Sequence, residues 1–426
     1  MPEAHMWDPE IQTLPRDELR AVQEQRLNTL AERIWTGPAA LFRRKLEAAG
    51  LGPGDPLGLG DLAGVAFTVK DELRSSEAEH PPFGDYRGID FRKCVRIGTT
   101  GGTSGAPTTV FWTKRDLAQD DAAGARMFWR QGLRPGMPIA NSHPLDVYGG
   151  GRSVTGVLEN FGVLVTAVGP PETDDDARRA IELFRRVKPL TYQMFPSAYR
   201  KFYETALEMG IDPAKELNLH PPVDNPEFAY RVVTGGTEGF AYMGSACPEG
   251  GGAHVCEDFV IVEAVNDAGK PVPDGELGQM VITTLERDNF VFRYNLEDLI
   301  RINPGHVCDC GETHRRVFWE CRVKDVTKID IGGTTVDVFP KQVAETLFGF
   351  DMLRTPTFEY QIVRDGDPRR LLVRAESTDT SREARESIET ALTAATGATS
   401  EVELVERGTL PRPAYKPERV VDSGGS

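Results

Sequence analysis

The stretch Ile97-Gly-Thr-Thr-Gly-Gly-Thr-Ser-Gly-Ala-Pro-Thr-Thr109 places four glycines and six hydroxyl residues within thirteen positions. It begins in an apolar-leaning run and leads into a strand-like run over Thr108–Thr113. Glycine allows a backbone to approach a ligand closely, and unpaired backbone N–H groups form a nest that binds anions. The stretch therefore predicts a phosphate-binding loop; the alternative is a flexible Gly/Ser/Thr linker.

The loop does not follow the Walker pattern, which needs Gly-Lys-Ser/Thr at the start of a helix. The nearest following lysine, Lys114, comes only after the next strand-like run, and the stretch contains no GxGxxG. Any charge that neutralises a bound phosphate must therefore come from elsewhere in the chain or from a metal ion.

Length and composition indicate a globular protein of two or more domains, since the chain has 426 residues, of which 39% are hydrophobic. The 49 basic and 65 acidic residues give a net charge of −16. This balance argues against nucleic-acid or anionic-membrane partners, because both require a basic patch. It still allows a local basic pocket for an anionic ligand.

Targeting signals are not apparent in the sequence. No apolar run has the length that spans a bilayer, and the N-terminus lacks the core of a signal peptide. We therefore expect a cytoplasmic protein whose six cysteines stay reduced or bind a metal. The sequence leaves the oligomeric state open, a homodimer included.

Helical and strand-like segments alternate in the first half of the chain, which predicts α/β layers with parallel strands. Helical patterns cover 13–48, 116–131, 155–161, 174–186 and 196–209, and strand-like runs cover 163–168 and 190–195. After residue 255, short β segments predominate, at 259–265, 278–284 and 290–294. A compact tail then reads β-α-β-β-α-β over 326–331, 340–347, 358–363, 370–375, 381–396 and 402–405.

The glycine-rich loop resembles the phosphate-binding signature of the adenylate-forming superfamily. The matching positions are Thr100, Gly101, Gly102, Thr103, Ser104, Gly105 and Pro107, and Ala106 stands where many members carry lysine. The following Trp112-Thr-Lys-Arg-Asp-Leu117 is similar to the phenylacetate–CoA ligase branch. The resemblance implies the adenylate-forming fold: a large multi-layered N-terminal α/β domain, 1–322, with a β-rich subdomain at about 255–320, and a small mobile α+β C-terminal domain, 323–426.

Two further segments resemble nucleotide-binding parts of this family. Asp298, in Arg293-Tyr-Asn-Leu-Glu-Asp-Leu299, matches the aspartate that accepts hydrogen bonds from the ribose of ATP, although Leu296 replaces a threonine. A carboxylate suits this task because it accepts from two hydroxyl groups. The segment Thr234–Gly239 implies nucleotide contacts by Gly235, Gly236 and Thr237. Its Glu238 matches either the glutamate beside the adenine or the glutamate that meets Mg²⁺.

The C-terminal segments resemble the hinge and the catalytic lysine of the family. The run Glu320-Cys-Arg-Val-Lys-Asp-Val326 implies that Arg322 contacts the nucleotide and that Lys324 or Asp325 is the pivot. Within Leu410–Asp422, Lys416 matches the catalytic lysine, although Tyr415 replaces a glycine. A lysine at this position would neutralise charge that develops when a carboxylate attacks the α-phosphate of ATP.

Cysteines and a histidine form a possible metal set: Cys247, His254, Cys308 and Cys310. Three thiolates and one imidazole are typical of a closed, structural zinc site, and glycine permits the tight Cys-x-Cys-Gly turn. Cys256 competes with Cys247 for a place, while His306 and His314 are spare candidates. Buried cysteines without a metal are the alternative. The phenylacetate–CoA ligase branch looks similar here, which favours zinc.

The region His143–Gly151 lies where related enzymes build the acyl pocket, with Tyr148 as an aromatic wall and Gly149 and Gly150 leaving room. A plain strand-to-helix turn explains these residues nearly as well.

Together these matches imply an ATP-dependent, Mg²⁺-requiring acid–thiol ligase. It would convert an aryl or arylalkyl carboxylic acid to an acyl-AMP and pass it to CoA. The alternatives are transfer of the acyl group to a carrier protein, an amine or another small nucleophile, and a non-catalytic acyl or nucleotide sensor. Retention of Lys416, Asp298 and Arg322 argues against the sensor.

Overall fold

The computed structural model describes residues 6–100, 107–146, 149–219, 232–233, 236–303, 308–354, 358–411 and 418–423. Contacts divide the chain into two compact units. The first comprises 1–136, 144–164 and 230–319, and the second comprises 137–143, 165–229 and 320–426. The domain boundary after residue 322 stays a prediction. Among the helices described, none combines the length and apolarity needed to cross a membrane.

The helices are distributed along the whole chain. In chain order they are α1 (Pro9–Gln12), α2 (Arg16–Thr36), α3 (Ala40–Ala48), α4 (Lys70–Glu79), α5 (Lys114–Arg130), α6 (Gly149–Phe161), α7 (Asp174–Val187), α8 (Pro196–Glu208), α9 (Pro213–Leu217), α10 (Pro340–Phe348), α11 (Asp351–Arg354) and α12 (Arg382–Thr396).

The strands are short in the first half and longer after residue 259. They are β1 (Arg96–Thr99), β2 (Thr109–Trp112), β3 (Pro138–Asn141), β4 (Leu164–Ala167), β5 (Thr191–Gln193), β6 (Val232–Val233), β7 (Gly244–Ala246), β8 (Ala253–Val255), β9 (Val260–Val265), β10 (Leu277–Thr284), β11 (Tyr294–Ile302), β12 (Arg316–Arg322), β13 (Thr327–Ile331), β14 (Thr334–Val338), β15 (Tyr360–Arg364), β16 (Leu371–Glu376), β17 (Ser400–Val405) and β18 (Val420–Asp422).

The N-terminal helical segment is not continuous. The sequence predicts helix over 13–48, but α2 ends at Thr36 and α3 begins at Ala40. The intervening Gly37-Pro38 explains the break, because proline disfavours helical backbone in the preceding residue and lacks an N–H group. The predicted helical stretch therefore consists of two helices.

The first unit is built around a seven-stranded sheet of order β6-β7-β8-β12-β11-β10-β9. Its strands β9 and β10 pair antiparallel, as do β10 and β11. The predicted strand over Phe290–Tyr294 is wrong, because β11 begins only at Tyr294. Phe290 and Phe292 are buried against Phe42, at 5.7 and 6.2 Å between ring centroids. Their apolarity therefore serves core packing rather than strand pairing.

The second unit contains a three-stranded sheet of order β4-β3-β5, in which β3 and β5 run parallel. Phe184 of α7 and Phe202 of α8 are fully buried in the core of this layer, 5.3 Å apart. Helix α7 begins with a capping box at Thr173 and three aspartates in its first turn, which suit the helix dipole. The predicted alternation of helices with parallel strands is confirmed here.

The C-terminal part of the second unit is a four-stranded sheet of order β17-β16-β15-β18 with α10 and α12 packed on a common core. The predicted helices and strands are present, but the sequence reading missed two further strands, β14 and β18. Strand β13 forms a separate hairpin with β14 through Gly332 and Gly333, which both have positive φ. Strand β18 instead supplies the fourth strand, parallel to β15.

Candidate nucleotide and metal sites

The glycine-rich stretch connects the two strands of a hairpin. Strands β1 and β2 pair antiparallel from Thr99↔Thr109 outward. Thr100 extends the pairing, because its N–H donates to Thr108 O at 3.0 Å and its Oγ1 accepts from Thr108 N at 3.1 Å. The predicted ligands Gly102, Thr103, Ser104 and Gly105 lie outside the described residues. The hairpin thus anchors both ends of the predicted phosphate-binding loop.

Gly236 lies against the strand that carries the predicted ribose ligand. A Cβ at Gly236 would stand 2.6 Å from Glu238 Oε2 and 2.9 Å from Leu296 Cδ2. Any larger residue at this position would therefore displace a neighbour. Gly235 lies outside the described residues. Two segments that are 60 residues apart in sequence are thus in direct contact, as the nucleotide-binding prediction requires.

Glu238 is 9% exposed and forms an ion pair with Lys70, whose Nζ lies 3.1 Å from Glu238 Oε1. Lys70 is the first residue of α4, so the start of this helix places its backbone beside the turn that carries Glu238. Burial raises the pKa of the neighbouring Tyr294, and the negative charge of Glu238 adds to the shift. Our sequence reasoning missed Lys70. Its position before two acidic residues in the first turn, Asp71 and Glu72, gave no functional signal.

Gly149 connects the predicted acyl pocket to the same cluster. A Cβ there would lie 2.5 Å from Trp112 Cη2 and 3.2 Å from Thr237 Cγ2. Helix α6 begins at Gly149 and includes Gly150, whereas the sequence predicts its start six residues later, at Thr155. The sequence did not predict this first helical turn because it begins with three glycines, and glycine is a poor helix former. Tyr148 lies outside the described residues.

Asp298 lies on an irregular part of β11. Met280 of β10 alone opposes the three residues Leu296–Asp298, and Glu297 has a φ of 60°. Such bulges often adjoin functional sites because they redirect side chains. Trp319 of β12 donates its indole N–H to Asp298 Oδ1 at 2.9 Å. The sequence offered no signal for this contact.

His143, the other predicted pocket residue, belongs to the second unit. Its ring packs edge-on against Phe195 at 4.9 Å, and its Nδ1 lies 2.8 Å from Asn141 Oδ1. Burial lowers the pKa of His143 to about 4. The imidazole is therefore neutral near pH 7, with Nδ1–H donating to the amide oxygen.

The predicted hinge is a short turn in the second unit. Lys324 and Asp325 form a 3-10 turn with Val323, and Lys324 O accepts from Arg364 Nη2 at 2.6 Å. Burial raises the pKa of Asp325. Arg322 is exposed at the end of β12. Lys416 lies outside the described residues, so its role stays a prediction.

The four predicted metal ligands come together in the first unit. The ligand atoms of Cys247, His254, Cys308 and Cys310 all lie within 4.8 Å of one another, and all four residues are buried. Cys247 Sγ is 3.7 Å from Cys308 Sγ, and Cys310 Sγ is 3.6 Å from His254 Nε2. Cys256 is buried but is not a member of this cluster, which resolves its competition with Cys247.

These separations fit a tetrahedral zinc ion. With Zn–S near 2.3 Å and Zn–N near 2.05 Å, the edges of the tetrahedron are about 3.8 Å for S···S and about 3.6 Å for S···N. His254 Nδ1 lies 2.8 Å from His314 O, so its Nε2 is left to bind a metal. The Cys310 thiol, followed by His254, lowers the pKa of Cys247. The donor set and geometry therefore suit a structural zinc site.

Comparisons with known proteins relate the chain to CoA ligases. The family model for the AMP-binding enzyme C-terminal domain matches residues 335–423. A phenylacetate-coenzyme A ligase of Thermus thermophilus is 30% identical over 380 residues, covering 85% of this chain and 82% of that protein. A phenylacetate-coenzyme A ligase of Escherichia coli K12 is 28% identical over 440 residues, covering 97% of this chain and 96% of that protein.

Solved structures support the same fold. A 2-hydroxyisobutyryl-CoA ligase in the postadenylation state, in complex with R3-HIB-AMP, gives a TM-score of 0.84 at 23% identity. This match covers 99% of the present chain and 93% of that chain. The same ligase in the thioesterification state, with 2-HIB-AMP and CoA, gives a TM-score of 0.68 at 25% identity, with the same coverage.

The fold and the site define an enzyme of the adenylate-forming type, an AMP-forming acid–thiol ligase. Within that class, the chain belongs to the phenylacetate–CoA ligase branch of the adenylate-forming superfamily.

Proposed function

We propose that the protein activates an aryl or arylalkyl carboxylic acid with ATP as an acyl-AMP and then forms the thioester with CoA. The observation that carries this proposal is the contact between three predicted parts of the site. A side chain at Gly236 would meet Leu296 on the strand of Asp298, and a side chain at Gly149 would meet Thr237. The turn over 236–238 thus lies near the strand that carries the predicted ribose ligand and near the start of α6, where the acyl pocket is predicted.

We propose that ATP binds at this turn and at the loop between β1 and β2. The loop between β1 and β2 cradles the phosphates, and Asp298 accepts from the ribose hydroxyls. Because the loop has no lysine, charge neutralisation comes from Mg²⁺ and from Lys416. Glu238 is the carboxylate that would hold Mg²⁺, which screens the phosphates when bound. Arg322 is a further nucleotide contact.

The aromatic nature of the acid rests on the named relatives and on the chemistry of the predicted pocket residues. Both bacterial relatives are phenylacetate-coenzyme A ligases. His143 is a neutral ring beside Phe195, which suits an apolar or aromatic acyl group rather than a charged one. Gly149 and Gly150 leave space that bulkier residues would fill.

The second step of the reaction, in which CoA attacks the acyl-AMP, requires the C-terminal domain to change position. Rotation about Lys324–Asp325 would bring Lys416 to the phosphate during adenylation and remove it before CoA attacks the acyl-AMP. The metal cluster has a structural role and takes no part in the reaction. We propose that Cys247, His254, Cys308 and Cys310 hold one structural Zn²⁺, which cross-links strand β8 to the segments that carry the three cysteines.

The test is a panel of carboxylic acids in ATP–pyrophosphate exchange, followed by AMP release with and without CoA. Phenylacetate and related aryl acids should support exchange, and CoA should then accelerate AMP release. Hydroxylamine trapping measures acyl-AMP that CoA does not consume. Exchange with aryl acids but no response to CoA would refute CoA as the acceptor and favour a carrier protein or an amine. No exchange with any aryl acid would refute the substrate class.

A further inference from the structure

Trp319 makes a hydrogen bond to the predicted ribose ligand. Its Nε1–H donates to Asp298 Oδ1 at 2.9 Å, from β12 to the neighbouring strand β11. Both side chains are partly buried. We propose that Trp319 is a positioning residue for ATP, which acts by orienting the Asp298 carboxylate toward the ribose hydroxyls. This inference rests on the proposed function, in which Asp298 binds the ribose.

The backbone around Asp298 gives a reason for such a contact. Met280 alone opposes Leu296–Asp298, so the regular pairing of β10 with β11 is interrupted where the carboxylate projects. Glu297, the residue before Asp298, has a left-handed φ of 60°. A bulge redirects a side chain but leaves its terminal torsion undetermined. The neighbouring strand β12 carries the Trp319 N–H that contacts this carboxylate.

The indole group is chemically suited to this task. It carries one N–H donor and no acceptor, so it cannot compete with a carboxylate for the ribose hydroxyl protons. An ionised carboxylate offers about four acceptor positions on its two oxygens. The contact with Trp319 occupies one position on Oδ1. In the proposed function, the 2′- and 3′-hydroxyl groups of the ribose donate to this same carboxylate.

A fixed carboxylate favours a ribose that carries both hydroxyl groups in one geometry. A carboxylate that rotates freely would lose this preference and would have to be ordered upon binding. We therefore expect Trp319 to affect ATP binding and discrimination against deoxynucleotides. It should not affect the chemical step, because the contact runs to the ribose ligand and not to the reacting phosphate.

The experiment compares Trp319→Phe, Asp298→Ala, the double variant and the parent enzyme. Trp319→Phe keeps an aromatic ring and removes the N–H donor. We expect its KM for ATP to rise about tenfold, with kcat within about twofold of the parent and an unchanged KM for the acid. Its preference for ATP over 2′-deoxy-ATP and 3′-deoxy-ATP should fall severalfold. In the Asp298→Ala background, Trp319→Phe should have no further effect.

Trp7→Phe is the matched control, because Trp7 packs against Trp129 and Phe161 in the same unit and has no place in the nucleotide site. It should leave both kinetic constants unchanged. If Trp319→Phe fails to fold, site-specific benzothienylalanine at position 319 keeps the shape of the indole and replaces its N–H with sulfur. The same rise in KM is expected from that replacement.

The outcomes separate the two proposals. If Asp298→Ala binds ATP like the parent, the ribose assignment in the proposed function fails. If Asp298→Ala weakens ATP and Trp319→Phe does not, the ribose assignment stands and the role of Trp319 is refuted. An equal effect of Trp319→Phe in the presence and absence of Asp298 would also refute it, because Trp319 would then act independently of the carboxylate.

Discussion

Replacement of Cys308 by serine should remove the zinc ion and lower thermal stability without abolishing the nucleotide site. The ligand separations of 3.7 and 3.6 Å match the tetrahedral edges that zinc requires, and a serine oxygen in place of one thiolate leaves the tetrahedron incomplete. A ligand present at a thousandfold over its Kd stabilises a native protein by about 4 kcal/mol. That contribution should disappear with the metal.

The expected shift in melting temperature follows from the size of the first unit. A unit of roughly 250 residues unfolds with an entropy of about 0.5 kcal/mol/K, so a loss of about 4 kcal/mol lowers Tm by about 8 °C. Elemental analysis of protein purified without added metal should find one zinc per parent chain and much less in Cys308→Ser. Differential scanning calorimetry should show the shift.

Cys256→Ser provides the matched control, because Cys256 is a fully buried thiol in the same unit and stands outside the cluster. Since both variants exchange a buried sulfur for oxygen, the control isolates the loss of a metal ligand from the loss of a buried thiol. It should retain its zinc. Active parent protein without a stoichiometric metal, or equal zinc in both variants, would refute the assignment.

Three other variants test the proposed chemistry. Lys416→Ala should lower adenylation at least about a hundredfold in pyrophosphate exchange, with ATP affinity nearly unchanged, because one transition-state contact is lost; near-normal exchange would contradict its role. Burial lowers the pKa of His143 to about 4, so the unfolded chain binds a proton between pH 6.5 and 4 that the native state does not. Stability should therefore fall by about 3 kcal/mol as the pH falls through that window, and urea unfolding of His143→Gln should lack this component. Lys70→Met removes the partner of Glu238 and should lower the Mg²⁺ concentration for half-maximal exchange severalfold if Glu238 binds the metal; an unchanged Mg²⁺ dependence would instead favour the adenine-side assignment.

The sequence predicted the fold well where local chemistry decides the structure. Helix α7 carries its own start signal in Thr173 and the following aspartates, and its observed bounds nearly coincide with the predicted ones. The strand-like run that follows the glycine-rich stretch likewise forms β2. Each of these elements is determined by about a dozen consecutive residues. Local sequence is therefore sufficient to predict it.

The failures arise where distant parts of the chain decide the structure. Phe290–Phe292 has the composition of a strand, but its rings pack on Phe42 from α3. Strand β13 has the composition of a sheet strand, but its partner is the hairpin strand that follows Gly333. Apolar composition indicates burial in both cases, and it does not identify the partner.

The candidate site shows the same contrast: the sequence reveals the type of a residue but does not reveal which residue it contacts. The four metal ligands could be named from their spacing because thiolates and imidazoles have few other uses in such a pattern. Lys70 and Trp319 could not be named, because a lysine at a helix start and a tryptophan in a strand have many ordinary structural roles. Only the fold brings Lys70 to Glu238 and Trp319 to Asp298.

The pairing of Lys70 with Glu238 also bears on how one carboxylate can serve this site. Glu238 is nearly buried, and a buried carboxylate without a partner is unfavourable by several kcal/mol. Lys70 supplies the compensating charge in the described state, while Mg²⁺ would supply it when the nucleotide brings the ion. The two cations compete for the same oxygens, so the ion pair with Lys70 should weaken metal binding in the absence of ATP. A ligase with this arrangement would therefore take up Mg²⁺ together with ATP rather than ahead of it.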